Sequence, residues 1–322
     1  MTRNNHNLSI WSKMGPRAMF GQFMLDLVKK DKKIILLSAD LGRSSGLDRF
    51  KNEFPNNYIS VGISEQNLIG VASGLASRNF KVFVTSFAPF LSMRASEQIR
   101  MNLGYMKHQV NLVALGSGVS MGFLGNSHFG LEDISIMRAI PGLNISSPSD
   151  CLELNKILND YCQNNRGPSY IRLTGVPGYP KVYEKDYNYK FGKISKINKG
   201  KDLLIISTGS MVTQSIKANE ILKKKGINAS IFNIHTLNPI DESLKSYLKK
   251  YQYIVTVEEH SKIGGLNSII SEIIQENNLQ KKLLSISIPP RFISNGSYSH
   301  LLNKYGLVAE KISTKIRKFI GV

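Results

Sequence analysis

Apolar positions along the chain fall into short runs separated by longer stretches of mixed polarity. Lys33–Ala39, Lys81–Ser86, Val110–Leu115, Ser169–Leu173, Leu203–Thr208, Ala229–Ile234, Tyr253–Glu258 and Leu284–Ile288 are rich in Ile, Val, Leu and Phe. Several are apolar at consecutive positions, the pattern of a strand covered on both faces. A shorter strand is predicted over Tyr58–Val61. Between the runs, Arg17–Lys30, Glu65–Ser77, Ser92–Leu103, Met211–Lys225, Leu266–Glu276 and Ala309–Phe319 have helical length and patterning. Ser64, just ahead of Glu65, is an N-cap candidate. Strand–helix alternation of this kind predicts an α/β protein with two domains, each a mostly parallel sheet covered by helices. The stretch between Val176 and Gly200 holds Pro177, Gly178, Pro180 and four tyrosines (179, 183, 187 and 189) with little periodicity. The expected organisation is therefore a first domain over 1–180, a linker over 181–200 and a second domain over 201–322.

With 322 residues, 42% hydrophobic and 20% charged, the chain can build two cores and is neither disordered nor fibrous. The residues from Met1 to Ile10 are polar and hold no apolar signal core, and no apolar run approaches membrane-spanning length. Two cysteines, Cys151 and Cys162, cannot form a disulfide framework or a four-ligand metal site. The expectation is a reduced, cytoplasmic protein that does not bind a membrane. The net charge of +19 divides into +7 over residues 1–189 and +12 over 190–322. It is carried by scattered lysines such as Lys223-Lys224-Lys225, without the arginine–aromatic interleaving that reads bases. A solvated lysine-rich surface explains it, an acidic partner is the next reading, and no nucleic-acid partner is expected.

Candidate chemistry is sparse until the motifs are taken together. Gly116-Ser117-Gly118 with Gly122 follows a strand, but the third glycine is misplaced for a dinucleotide loop, so an active-site turn fits better. There is no Walker A loop, and the six histidines include no H-E-x-x-H and no His/Cys cluster, so no metal ligated by this chain is expected. Glu65 opens a helix rich in small residues (Gly70, Ala72, Ser73, Gly74, Ala76), suited to close packing at an interface. A carboxylate there either complements the helix dipole or does chemistry. Phe83, Phe87, Phe90 and Met93 read as core or as a ring pocket, and His128 in Ser127-His128-Phe129 reads as a loop histidine or a catalytic one.

The order of several motifs removes this ambiguity. Ser38-Ala39-Asp40-Leu41, Gly62–Asn67, Thr85–Phe90, Glu97-Gln98-Ile99-Arg100, Ser127-His128 with Glu132-Asp133, and Pro148-Ser149-Asp150 resemble the pyrimidine-binding domain of transketolases. Thr236–Asp241, Val257–His260 with Gly264-Gly265-Leu266, and Tyr305–Glu310 resemble the transketolase C-terminal domain. The resemblance spans nearly the whole chain. It implies the thiamine-diphosphate pyrimidine-binding fold followed by the transketolase C-terminal fold.

In that family an N-terminal domain holds the cofactor's pyrophosphate and a divalent cation, Mg2+ or Ca2+, through a Gly-Asp-Gly…Asn motif. This chain has no Gly-Asp-Gly. The resemblance therefore implies the C-terminal subunit of a split transketolase. Its partner would be a separate N-terminal subunit carrying that motif and the metal ligands, and self-association would give a heterotetramer. Matching positions imply that Glu65 hydrogen-bonds N1′ of the cofactor's aminopyrimidine. Phe87, Phe90 and Met93 would line its ring, and Asp40 would lie near the cofactor. They also imply that Arg17, assisted by Ser44 or Ser45, holds a sugar phosphate, and that His128 contacts substrate. A carboxyl in a Phe-lined pocket should have a raised pKa and can share a proton with a ring nitrogen, which makes Glu65 and His128 the catalytic candidates.

Three departures fall on the substrate side. Leu124 stands where a substrate-binding aspartate is usual, Gly116 near where a second histidine is usual, and Thr174-Gly175 where a second phosphate-binding arginine is usual, with Arg172 close by. They point to an altered sugar substrate, with Leu124 and Arg172 as substrate-side candidates. The implied reaction transfers a two-carbon ketol unit from a ketose to an aldose. A β subunit of a 2-oxo-acid dehydrogenase or a deoxyxylulose-phosphate-synthase-like enzyme is the alternative enzyme, and a structural partner subunit the non-enzymatic one.

Overall fold

The computed structural model describes residues 2–174, 176–178 and 180–322; Met1, Gly175 and Tyr179 of the segments singled out above lie outside the described residues. Two sheets organise the chain. The first has seven strands in the order β10-β5-β6-β4-β3-β1-β2. These are β1 (Ile34–Ser38), β2 (Tyr58–Ser60), β3 (Lys81–Phe87), β4 (Val110–Leu115), β5 (Asn144–Ser146), β6 (Ser169–Arg172) and β10 (Thr236–Asn238). The second has five, in the order β12-β11-β8-β9-β7. Its members are β7 (Ser195–Asn198), β8 (Leu203–Ser207), β9 (Ala229–Asn233), β11 (Tyr253–Ser261) and β12 (Lys282–Ile288). Only the edge strands β10 and β7 run antiparallel to their neighbours. The expected α/β class with two mostly parallel, helix-covered sheets is what the chain adopts.

Alternate residues of each strand feed opposite faces, as the pleat requires. Ile34, Leu36, Phe83, Val113 and Ile171 pack with Phe20, Met24, Leu154 and Leu158 on one side of the first sheet. Ile35, Leu37, Val82, Val84 and Leu112 pack with Leu68, Ile69 and Ala72 on the other. That second core continues without a break into Leu204, Ile206, Ile254, Leu266 and Ile270 of the second sheet. A third core covers its far face with Ile205, Val255, Val257, Ala218 and Ile312.

Local differences from expectation have physical reasons. The helix Thr2–Lys30 breaks at Gly15 (φ 80°, ψ 168°), ahead of Pro16, so its straight part begins next to Arg17 as expected. The helix expected over Ser92–Leu103 is a short α-helix, Ser96–Ile99, between π-helical turns Phe90–Arg94 and Arg100–Tyr105. Ser64 occupies the N-cap position, but its hydroxyl donates to Val61 O at 2.9 Å instead of capping the helix Glu65–Ala76. The segment 181–200 is not a free connection. It supplies β7, and the hydroxyls of Tyr183 and Tyr187 donate to Glu153 Oε1 at 3.1 and 2.7 Å. Glu153 lies in the helix Cys151–Gln163, capped by Asp150, whose carboxylate accepts from Glu153 N at 2.8 Å.

Candidate functional site

The carboxyl ends of β1, β2, β3 and β4 open on one rim of the first sheet, where parallel sheets place ligands. Asp40 and Leu41 follow β1, Gly62 to Glu65 follow β2, Ser86 and Phe87 end β3, and Gly116 follows β4. Glu65 is the first residue of its helix and only 2% exposed. Its Oε1 accepts from Ser86 Oγ at 3.2 Å, and its Oε2 accepts from Arg94 Nη1 at 2.7 Å. The pocket is thus not purely apolar, as the run of phenylalanines suggests. Arg94, half-exposed on the π-turn after Phe90, brings a full counter-charge and stacks 4.2 Å above the Phe90 ring.

Beside the carboxylate stand three rings. Phe87 and Phe90 meet edge-on at 5.8 Å, and the His128 ring lies 5.5 Å from Phe87 and 5.1 Å from Phe90. Phe87 is buried and Phe90 partly open. Ser127 Oγ lies 3.0 Å from His128 Nδ1. Partial burial, then the nearby Arg94 charge, holds the His128 pKa below the usual histidine value. Met93 is exposed on the same π-turn, and Asp40 is exposed with a left-handed backbone (φ 57°). Aromatic edges beside a buried carboxylate are a set that can take a flat, nitrogen-bearing ring, the edges packing on it and the carboxylate pairing with a ring nitrogen. Among the described residues no group of three or more His, Cys, Asp or Glu could hold a metal ion.

Arg17 extends the site past Phe87. Its guanidinium carbon sits 6.0 Å from the Phe87 ring, and Nε and Nη2 both donate to Ser44 O, at 3.0 and 2.6 Å. The turn 41–47 can lie this close because Gly21 and Gly46 meet without side chains. A Cβ on Gly21 would stand 1.9 Å from Gly46 O. Ser44 is exposed here, whereas Ser45 is fully buried with its hydroxyl donating to Leu41 O at 2.7 Å. Ser45 is therefore a fastener of the turn and not a substrate contact. Leu124 and the exposed Phe123 lie on the loop that leads to His128. That loop is tied to the second half of the chain by Asn126, whose side chain donates to Ile293 O and accepts from Ile293 N at 2.7 and 3.0 Å.

Arg172 does not reach the site. It is 4% exposed and its Nε donates to both oxygens of Asp133, at 3.1 and 2.9 Å. Its Nη2 donates to Gly130 O at 2.9 Å and to Glu259 O at 2.7 Å. The cation that neighbours the missing arginine position is spent on joining β6 to β11. Thr174 is buried, and Gly175 lies outside the described residues. The same joint includes Glu259, whose carboxylate accepts from Val119 N at 2.8 Å, from Tyr298 Oη at 2.7 Å and from Ser210 Oγ. Gly118 (φ 68°) backs onto it so closely that a Cβ would stand 2.1 Å from Glu259 Oε1. The Gly116–Gly118 turn is thus a seat for the 119–128 loop.

Sequence reading missed Arg94, Ser86 and Asp133 as partners of the residues it named. Arg94 follows Phe90 by four positions, a helical neighbour spacing that was the one available signal.

Two family descriptions match the chain: "Transketolase, pyrimidine binding domain" over residues 12–175 and "Transketolase, C-terminal domain" over residues 192–312. One of the subunits of an apulose-4-phosphate transketolase from Phocaeicola vulgatus is 34% identical over 94% of this chain and 97% of its own length. A 6-deoxy-6-sulfo-D-fructose transketolase subunit from a Clostridium species is 35% identical over 92% and 91%. The solved structure of a split-gene transketolase, described as an inactive β4 tetramer, superposes with a TM-score of 0.87 at 31% identity, covering 96% of this chain and 99% of its own.

Proposed function

The chain belongs to the transketolase family, and on that premise we propose that it is the C-terminal subunit of a two-subunit, thiamine-diphosphate-dependent transketolase. It would transfer a two-carbon ketol unit from a ketose, phosphorylated or otherwise modified, to an aldose. The observation that carries this reading is the buried Glu65 carboxylate, held by Ser86 and Arg94 beside the Phe87–Phe90–His128 cluster. The coverage of subunit-sized relatives along nearly their whole length supports the division between two polypeptides. The pyrophosphate and a divalent cation, Mg2+ or Ca2+, fall to an N-terminal subunit with a Gly-Asp-Gly…Asn motif. Closed symmetry favours two copies of each subunit.

When bound, thiamine diphosphate supplies a thiazolium that can accept the electron pair released by C–C cleavage. This chain's part is to hold the pyrimidine end. Glu65 shares a proton with the ring nitrogen, and its rigid setting at a helix start fixes the carboxylate's direction. Phe87 and Phe90 would shield the ring from water, with Met93 on the same π-turn as Phe90. Asp40 lies at the margin of that site. His128, whose pKa burial holds below the usual histidine value, can accept or donate a hydrogen bond with a substrate hydroxyl. Arg17, with Ser44 beside it, faces the far end of the sugar, and Leu124 meets its middle.

The test is reconstitution. The chain alone should show no turnover, and mixing it with its N-terminal partner should restore cofactor binding and ketol transfer in a donor screen that includes pyruvate. Glu65→Gln should lower the rate by at least ~100-fold, the scale of acid–base catalysis, while the complex still assembles. Full activity of the isolated chain, or of the variant complex, would overturn the reading.

A further inference from the structure

Beside Arg17, whose guanidinium carbon is 6.0 Å from the Phe87 ring, lies a cavity of about 290 Å³ between the Gly15 break, the turn 41–47 and the segment at Val176 and Pro177. Two arginines line it, Arg17 and Arg43, and no Asp or Glu does. Neither arginine makes an ion pair among the described residues. Arg17 is anchored by two bonds to Ser44 O, which leaves Nη1 facing only the Met121 sulfur at 3.8 Å. Arg43 is exposed, but its backbone belongs to a fastened turn. Leu41 N donates to Ser38 Oγ at 2.9 Å, and Leu47 N donates to Gly42 O at 2.9 Å. Two like charges gathered in one hollow without a counter-ion repel each other, and an anion between them relieves that repulsion.

We propose that Arg43 is the second cation that, together with Arg17, grips a terminal tetrahedral oxyanion on the sugar, a phosphate ester or a sulfonate. This rests on the transketolase reading above. It assigns to the turn after β1 the task that Arg172, locked onto Asp133, does not perform. Guanidinium forks suit such groups because two N–H donors match two oxygens of one tetrahedron. The placement also sets substrate order along the site: the cofactor ring at Glu65, the sugar carbons past His128 and Phe87, and the oxyanion in the cavity.

The experiment uses the reconstituted complex with a pentulose phosphate, a sulfonated deoxyketohexose and a neutral ketose as donors. In Arg43→Gln the ratio of kcat/KM for anionic over neutral donor should fall by roughly 10- to 100-fold, mainly through KM, the scale of a charged hydrogen bond. Arg43→Lys should recover part of it, and the surface control Arg49→Gln should leave the ratio unchanged. A fall confined to the phosphate or to the sulfonate donor identifies the natural oxyanion. A second readout does not need turnover. Inorganic phosphate at fixed ionic strength should raise the Tm of the wild-type complex and raise that of Arg43→Gln by less than half as much. Equal ratios and equal phosphate stabilisation in wild type and Arg43→Gln overturn the assignment. Absence of ketol transfer by any wild-type complex, with the phosphate effect still dependent on Arg43, would instead count against the transketolase reading alone.

Discussion

Arg94 and Glu65 form an ion pair of 2.7 Å in which one partner is half-exposed and the other almost wholly buried. The asymmetry matters. Water can solvate the guanidinium when the pair opens, but among the described residues the carboxylate has only Ser86 to fall back on. Removing Arg94 should therefore cost far more than an ordinary surface pair.

Arg94→Gln is expected to destabilise the folded chain by roughly 1–3 kcal/mol, the cost of stranding a buried charged acceptor. In a Glu65→Gln background the same change should cost less than about 0.5 kcal/mol, the scale of surface pairs, because the charge it served is gone. Urea denaturation of the four proteins in this double-mutant cycle measures the difference, and additive effects would show that the pair carries no coupling energy.

Leu124 can neither donate nor accept a hydrogen bond. A donor hydroxyl pressed against it is desolvated without a partner, at ~1–3 kcal/mol. The complex should therefore use ordinary pentulose phosphates less well than a ketose that lacks, inverts or redirects that hydroxyl. Leu124→Asp should shift the preference back toward the ordinary phosphates. Specificity constants for both substrate sets decide it, and identical ratios in wild type and variant would remove Leu124 as a selector.

Arg172 separates a structural role from a substrate role. Arg172→Met takes the partner cation from the buried Asp133 and should cost about 3–5 kcal/mol of stability, the cost of breaking a buried ion pair. KM for the sugar donor, measured on the fraction of complex that remains folded at low temperature, should stay within about twofold of wild type, well under one hydrogen bond to a charged group. A large rise in KM with unchanged Tm would restore Arg172 to the substrate site.

His260 sets a pH response. It is wholly buried, with Nδ1 donating to Ser261 O at 2.8 Å and Nε2 3.6 Å from Asp133. Burial pushes its pKa down to about 4. The unfolded chain then binds the extra proton first, so His260 withdraws stability as pH falls from about 6.5 toward 4. Glu258, raised to about 7 by burial, acts with the opposite sign, withdrawing stability as pH rises from about 4.5 to 7. The two offset each other in the wild type. Their separation comes from His260→Gln, which should lose less Tm than wild type between pH 7 and pH 4.5. Parallel Tm-versus-pH curves would show that His260 does not titrate in this way.

Much of this protein is written in local pattern. Ile34–Ser38, Val110–Leu115 and Leu203–Ser207 are apolar at successive positions because helices cover both faces of their sheets, so their strand character needs no tertiary information. The helix Cys151–Gln163 was also legible in principle, since Asp150 and Glu153 stand at the N-cap and third helical positions, a capping pattern easily passed over beside Pro148. Glu65, Phe87, Phe90 and His128 were recognisable from motif order, and the fold brings them to one rim. What local pattern cannot carry is which partner a charged or polar side chain finds across tens of residues. Ser44 and Ser45 are neighbours in sequence, yet one faces the cavity side and the other bonds Leu41 O within the turn. Arg172 reads as a spare cation near a ligand but is consumed by Asp133, 39 residues away. Arg94 looks like a surface charge until the π-turn sets it on Glu65, and Arg43 becomes a neighbour of Arg17's cavity only once the turn 41–47 packs against the first helix. The reason is physical: hydrophobic periodicity is a property of neighbours along the chain, whereas the pairing of buried charges depends on distances that exist only after the sheets have assembled.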